Sequence, residues 1–185
     1  MEHHHRIAPI SYVGESATEA DYNALGLPVP PETEVTEEVV LRFNSTANRT
    51  TPVPGGGGIM TAADLALFYQ GLAGNLAQKP WSAETISEAT RPHTGDLLNV
   101  LTGVTVHRGL GIEVAGDGKR NVRGFGHTNS EHAFGHRGAG GQIGWYDPAT
   151  GLSFAWLTNG HDRNVLREGR RGIGISTRAA ACHQD

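Results

Sequence analysis

The stretch AFGHRGAGG, Ala133 to Gly141, sets a histidine among four glycines directly ahead of a strongly apolar segment. Read as an extended strand, it turns Phe134, His136 and Gly138 to one face and Arg137 and Ala139 to the other. Glycine weakens a strand, and one use that offsets the cost is to let a ligand approach the main chain. A backbone N–H presented at Ala139 can donate to an oxyanion developing on an attacked carbonyl. An imidazole at position 136 suits either proton transfer or the orienting of an anionic substrate near neutral pH. A plainer account covers the same residues: a glycine-rich edge strand whose histidine makes one hydrogen bond. On pattern alone that account is the default.

The surrounding elements must position this stretch. Downstream, Asp147-Pro148-Ala149-Thr150-Gly151 has turn chemistry, with Pro presetting the second position and Gly accepting a positive φ. On the return strand Leu152, Phe154 and Trp156 share one face and Ala155 and Leu157 the other, so both faces need cover. The last segment, VLREGRRGIGISTRAAAC, is expected to be a helix that provides one cover, with Arg167, Arg170, Arg171 and Arg178 forming a solvated outer face. Upstream, Thr61 and Asp64 make a capping-box start for a helix carrying Leu65, Phe68 and Leu72, ended by Gly71 or Gly74. Ser82 is expected to N-cap a second short helix that Pro92 prevents from continuing. NVLTGVTV and GLGIEVAG read as short strands. The resulting division is an irregular connector over 1–54, a helical part over 55–99 and an antiparallel sheet with a C-terminal helix over 100–185.

Composition narrows the function classes. The 185 residues are 37% apolar and 18% charged, with 26 glycines and a formal charge of -4, which fits a folded domain and gives no overall attraction to nucleic acid or an anionic membrane. No run of 18 apolar residues exists for a membrane span, and the start MEHHHRIAPI lacks the apolar core of a signal peptide, so a cytoplasmic chain is expected. Cys182 stands alone and cannot form an internal disulfide. The four glycines at 55–58 precede a helix but lack the Gly-Lys-Ser/Thr ending of a phosphate-binding loop. Asn44 and Asn48 sit in sequons that read as polar loop. Among ten histidines, His127, His132 and His136 lie five and four apart, wider than the paired spacings of strong zinc sites, and His3, His4 and His5 sit at a terminus. A His-rich metal-binding protein is therefore the weakest reading, and no metal or other cofactor is expected.

GGGGIMTAADLALFYQGL, RGLGIEVAG and FGHRGAGGQIGWYDPATGLSFAWLTNG, in that order, closely resemble the C-terminal half of the β-lactamase-like serine hydrolases, a group that includes class C β-lactamases, DD-peptidases and related esterases. The resemblance runs from about Pro54 to the end. It implies an α+β chain, a partial β-lactamase/transpeptidase-like fold with an antiparallel sheet flanked by helices and without its N-terminal part. Three motifs line the cleft in that family: Ser-x-x-Lys, a tyrosine motif such as Tyr-x-Asn, and Lys-Thr-Gly or His-x-Gly on a strand. His136-Arg137-Gly138 corresponds to the third, in the form that looks more like the esterase branch. By this resemblance His136 and the backbone N–H of Ala139, as second oxyanion donor, are catalytic, and His136, Gly138 and Gly140 face substrate.

The other two motifs are missing. No serine has lysine three positions later, the lysines being Lys79 and Lys119 only, and no tyrosine has asparagine two positions later. The groups that attack the carbonyl and take its proton are thus absent from these residues. The chain is read as a C-terminal portion of a serine hydrolase acting on a small-molecule ester or amide once completed by an N-terminal half, and as inactive alone. The alternative is a noncatalytic module that binds a ligand or partner on the same fold. Such a piece leaves sheet edge or apolar surface uncovered, and self-association is expected.

Overall fold

The computed structural model describes residues 4–31, 35–51, 53–100 and 102–182. Its centre is a four-stranded antiparallel sheet in the order β2-β3-β4-β5. The strands are β2 (Glu113–Val114), β3 (Phe134–Arg137), β4 (Ile143–Asp147) and β5 (Leu152–Trp156). In the β3–β4 ladder Phe134 faces Tyr146 and His136 faces Gly144, while β4 and β5 pair Trp145 with Phe154. The turn between β4 and β5 follows the expected chemistry, with Gly151 at φ +70. Asp147, fully buried at its start, accepts from the Ser130 hydroxyl at 2.5 Å, the Ser130 N–H at 2.7 Å and the Ala149 N–H at 3.1 Å.

Each face of this sheet carries one helix. Helix α4 (Ala62–Leu72) starts on the Thr61–Asp64 capping box, and its Leu65, Tyr69 and Leu72, at helical spacing, pack with Ile112, Val114, Phe134 and Tyr146. Phe68, expected on that face, is instead about half exposed and stacks edge-on against Tyr69 and Trp81. Helix α6 (Val165–Ala180) covers the opposite face, where Trp145 is fully buried and donates to the Ser176 hydroxyl at 3.2 Å. Gly172 and Gly126 make this contact possible. An added Cβ at Gly172 would meet Ile143, and one at Gly126 would lie 2.3 Å from the Thr177 backbone nitrogen. The return strand β5 thus has cover on both faces, from α4 and α6, with only Trp156 substantially exposed.

Ahead of this body, the described residues up to 54 hold strand β1 (Ser11–Val13) and three short α-helices, α1 (Glu19–Ala24), α2 (Glu37–Leu41) and α3 (Thr46–Thr50). Strand β1 pairs in parallel with β6 (Gly160–Asp162), which leads into α6. Asn44, in a sequon, is used structurally: its side chain accepts from the Ile10 N–H at 2.7 Å and donates to the Ile10 carbonyl at 2.9 Å. Helix α5 (Ala83–Ala89) is N-capped by Ser82 as expected. NVLTGVTV departs from its strand reading, since residues around it form turns and one isolated bridge, Leu98 with Thr105, and Leu101 lies outside the described residues. Val104 and Val106 fold back on Asn99 and Leu97, with Asn99 N–H donating to the Val104 carbonyl at 2.9 Å and Val106 N–H to the Leu97 carbonyl at 2.8 Å, a pairing too short to extend into strands. Part of the proline-rich connector, residues 32–34, also lies outside the described residues. Among the described residues no helix is long and apolar enough to cross a membrane.

Candidate active site

The site is built on β3. Alternation puts His136 on the same face as Phe134, toward α4, yet its side chain is exposed where the apolar packing ends. Its support comes from below. An added Cβ at Gly144, the register partner of His136, would lie 2.5 Å from the Tyr69 ring and close to Leu65, so the missing side chain is what admits Tyr69 under the strand. Burial pushes the Tyr69 hydroxyl up to about 12, and hydrogen bonding to the His136 backbone partly offsets that rise.

Among the described residues the His136 ring has two hydrogen-bond partners. Its Nε2 lies 2.5 Å from Arg108 Nη1, and its Nδ1 hydrogen-bonds the carbonyl of Arg137. Arg108 is held by its own loop. Its N–H donates to the Thr94 hydroxyl at 3.2 Å, its carbonyl accepts from the His93 N–H at 2.7 Å, and its backbone forms an antiparallel β-bridge with that of Glu113 of β2. Leu110 N–H donates to the Ala89 carbonyl at 2.9 Å and ties this loop to the end of α5. Nothing in sequence spacing links positions 108 and 136, so Arg108 was not legible as a site residue, although it opens the RGLGIEVAG segment.

Extending β3 through Ala139 is corrected by the structure. The strand ends at Arg137, Gly138 N–H donates to the Gln142 carbonyl at 2.8 Å, and Ala139–Gly141 form a tight 3-10 turn. Gly140 and Gly141 take φ of +75 and +89, which bends the chain sharply before β4. Gly138 and Ala139 are exposed at the head of this turn beside His136, whereas Gly140 packs inward. An added Cβ at Gly140 would collide with the His161 ring. The glycine that the sequence places facing substrate is thus seated on a buried histidine.

Beneath the turn lies a polar layer that sequence reasoning missed. His161 on β6 is 2% exposed, with the Tyr12 ring edge-on at 5.3 Å. Gln142 Oε1 accepts from the Thr158 N–H at 2.8 Å, so its amide nitrogen donates to His161 Nε2 at 3.3 Å, leaving Nδ1–H buried without a partner among the described residues. Glu168 of α6 meets Arg137 at 3.2 Å, and burial raises its carboxyl while Arg137 lowers it. Asp162 is gripped by Arg167 at 2.6 and 2.8 Å and by Arg171 at 3.3 Å, and the Arg167 hydrogen bonds hold its carboxyl at about 2. Two of the four arginines read as a solvated face therefore pair inward.

Other sequence candidates are not assembled. His127 and His132 are exposed and away from the partners of His136, and among the described residues no group of three His, Cys, Asp or Glu is placed to hold a metal. His5 is exposed, and His3 lies outside the described residues. No serine hydroxyl among the described residues bonds to His136: Ser130, Ser153 and Ser176 are engaged by Asp147, Gln70 and Trp145.

The polar layer sets a pH response. Burial lowers the His161 pKa, so the folded chain resists a proton that the unfolded chain takes up near 6.5. His161 therefore stabilises the fold above that value, and the contribution is lost as pH falls through it. Raised Glu168 acts oppositely, its contribution being present at low pH and lost as pH rises through its raised value. Between about pH 7.5 and about pH 5 the thermal midpoint of the wild-type chain should fall relative to that of His161→Gln, which keeps the opposing Glu168 contribution and lacks that of His161. An equal slope in the variant would assign the response elsewhere.

The β-lactamase family model, described as "Beta-lactamase", matches residues 8–176. A crystal structure of a β-lactamase from Mycobacterium bovis is 30% identical with a TM-score of 0.51, covering 64% of this chain and 43% of that one. A novel penicillin-binding protein homolog from Caulobacter crescentus shares the fold at 21% identity with a TM-score of 0.56, covering 90% of this chain and 46% of that one. No curated protein matches the chain significantly. The chain thus spans less than half the length of these structural relatives. With a family match over residues 8–176 and the β-lactamase-like sheet and helices around β3, this chain belongs to the beta-lactamase family.

Proposed function

We propose that the chain forms the sheet-side wall of an acyl-serine hydrolase cleft of the esterase branch, acting on a small ester or amide. The observation that carries this reading is His136, solvent-facing on a strand backed by Tyr69, immediately before a tight turn headed by Gly138 and Ala139. In the reaction a serine Oγ attacks the carbonyl carbon, its proton passes to a neighbouring base, and the resulting oxyanion is met by the Ala139 N–H. Collapse of that intermediate expels the alcohol or amine, and water then releases the acid and frees the serine. His136 and Gly138 belong to the wall along which substrate lies, and Gly140 sets the turn from behind, against His161.

The serine and its base come from polypeptide outside these 185 residues, since no serine here has lysine three positions on. Alone, the chain is inactive. The same lack supports a second reading, a noncatalytic module that binds ligand on the same wall. An in-frame Ser-x-x-Lys upstream of Met1 would favour the first, and its lack the second.

Incubation of the folded chain with a fluorophosphonate serine probe, followed by intact-mass measurement, should give no adduct. A stoichiometric adduct would reveal a reactive serine within the chain and overturn the reading. We propose also that the chain self-associates. Strand β5 ends the sheet, and its residues LSFAW carry no charge or proline to discourage edge pairing. Light scattering at tens of micromolar should give more than the monomer mass, and a clean monomer would contradict this.

A further inference from the structure

We infer that Arg108 is a positioning residue that holds His136 as the neutral imidazole protonated on Nδ1, leaving Nε2 as a lone-pair acceptor. The inference rests on the reading of His136 as a cleft residue. Arginine carries donors only and keeps its proton in proteins. Arg108 Nη1 lies 2.5 Å from Nε2, so Nε2 must be the acceptor in that contact. The Arg137 carbonyl accepts only, so Nδ1 must carry the hydrogen directed at it. The two contacts independently select the same tautomer. An imidazolium would set an N–H against the Arg108 N–H and a positive charge against a positive charge.

The other groups around the ring do not reverse this. Tyr69 lies beneath the strand on α4 with its hydroxyl kept protonated by burial. Arg137 points to the far face and is paired with Glu168. Glu113 of β2 pairs in register with Gly135, whose neighbours Phe134 and His136 alternate to the other face. The Arg108 backbone is fixed through Thr94, His93 and a β-bridge to Glu113, so the side chain springs from a tethered loop.

The consequence is a division of roles. Of the two uses open to a histidine here, His136 takes the part of acceptor or base. The fixed positive charge beside it belongs to Arg108. An anionic group of a substrate would meet Arg108, and drawing the guanidinium away would release the Nε2 lone pair to the cleft.

Long-range proton–nitrogen NMR of the histidine rings tests this without substrate or nucleophile, so its outcome is separate from that of the probe-labelling experiment. His136 is assigned by loss of its signals in His136→Gln. In the wild-type chain at pH 7.5 the Nδ1 signal should have the protonated, pyrrole-like shift and Nε2 the unprotonated, pyridine-like shift. In Arg108→Met only the Arg137 carbonyl still selects the tautomer, so the two shifts should move toward each other without exchanging, and Arg108→Lys, which keeps a donor-only cation, should restore the wild-type pattern at least in part. A wild-type ring protonated on Nε2 would overturn the inference, whatever the variants do. So would identical ring shifts in wild type and Arg108→Met.

Discussion

The proposed cleft wall depends on one steric contact, the Tyr69 ring lying over Gly144. Gly144 pairs with His136 across the β3–β4 ladder, and a methyl group there would stand 2.5 Å from the ring. Because that space is empty, α4 can close onto the sheet directly behind His136, and the apolar cluster of Leu72, Ile112, Val114, Phe134 and Tyr146 assembles around it. The strand that carries the candidate chemistry is therefore backed by a packed aromatic. Such backing suits the role proposed for His136, since a group beside a reacting carbonyl must hold its place to within a fraction of an ångström.

A second glycine does comparable work on the other side of the turn. Gly140 bends with positive φ and sits against the His161 ring, so the exposed head of the turn, Gly138 and Ala139, is set by a buried polar layer of Gln142, His161, Glu168 and Arg137. Cleft wall and buried layer share Arg137. Its carbonyl accepts from His136, and its guanidinium pairs with Glu168 on α6. Whatever disturbs His161 or Glu168 thus has a short mechanical route to the turn.

Much of the body was legible in the sequence because it rests on local rules. The Thr61–Asp64 capping box, the Ser82 cap, the Asp147–Gly151 turn and the two apolar faces of β5 each depend on residues close in the chain. The extent of β3 was not legible, because FGHRGAGG is equally good as strand or as strand plus turn, and the choice is made by His161, twenty-one positions after Gly140. Phe68 and Tyr69 are both apolar at helical positions, and only the glycine at 144 decides which one is buried. Arg108 was hidden for the same reason: its meeting with His136 is made by the loop from α5 to β2. The family resemblance came through the order of three segments rather than through any one of them.

The contact between Tyr69 and Gly144 is tested most directly by a double-mutant cycle read by urea unfolding. Gly144→Ala in the wild-type background should cost about 1–3 kcal/mol, the usual range for overpacking a filled site. In a Tyr69→Ala background the added methyl has room, so the same substitution should cost clearly less, giving a coupling of the size that neighbours in contact show. Equal costs in the two backgrounds would mean that the Tyr69 ring does not bear on Gly144, and that something else holds the strand behind His136.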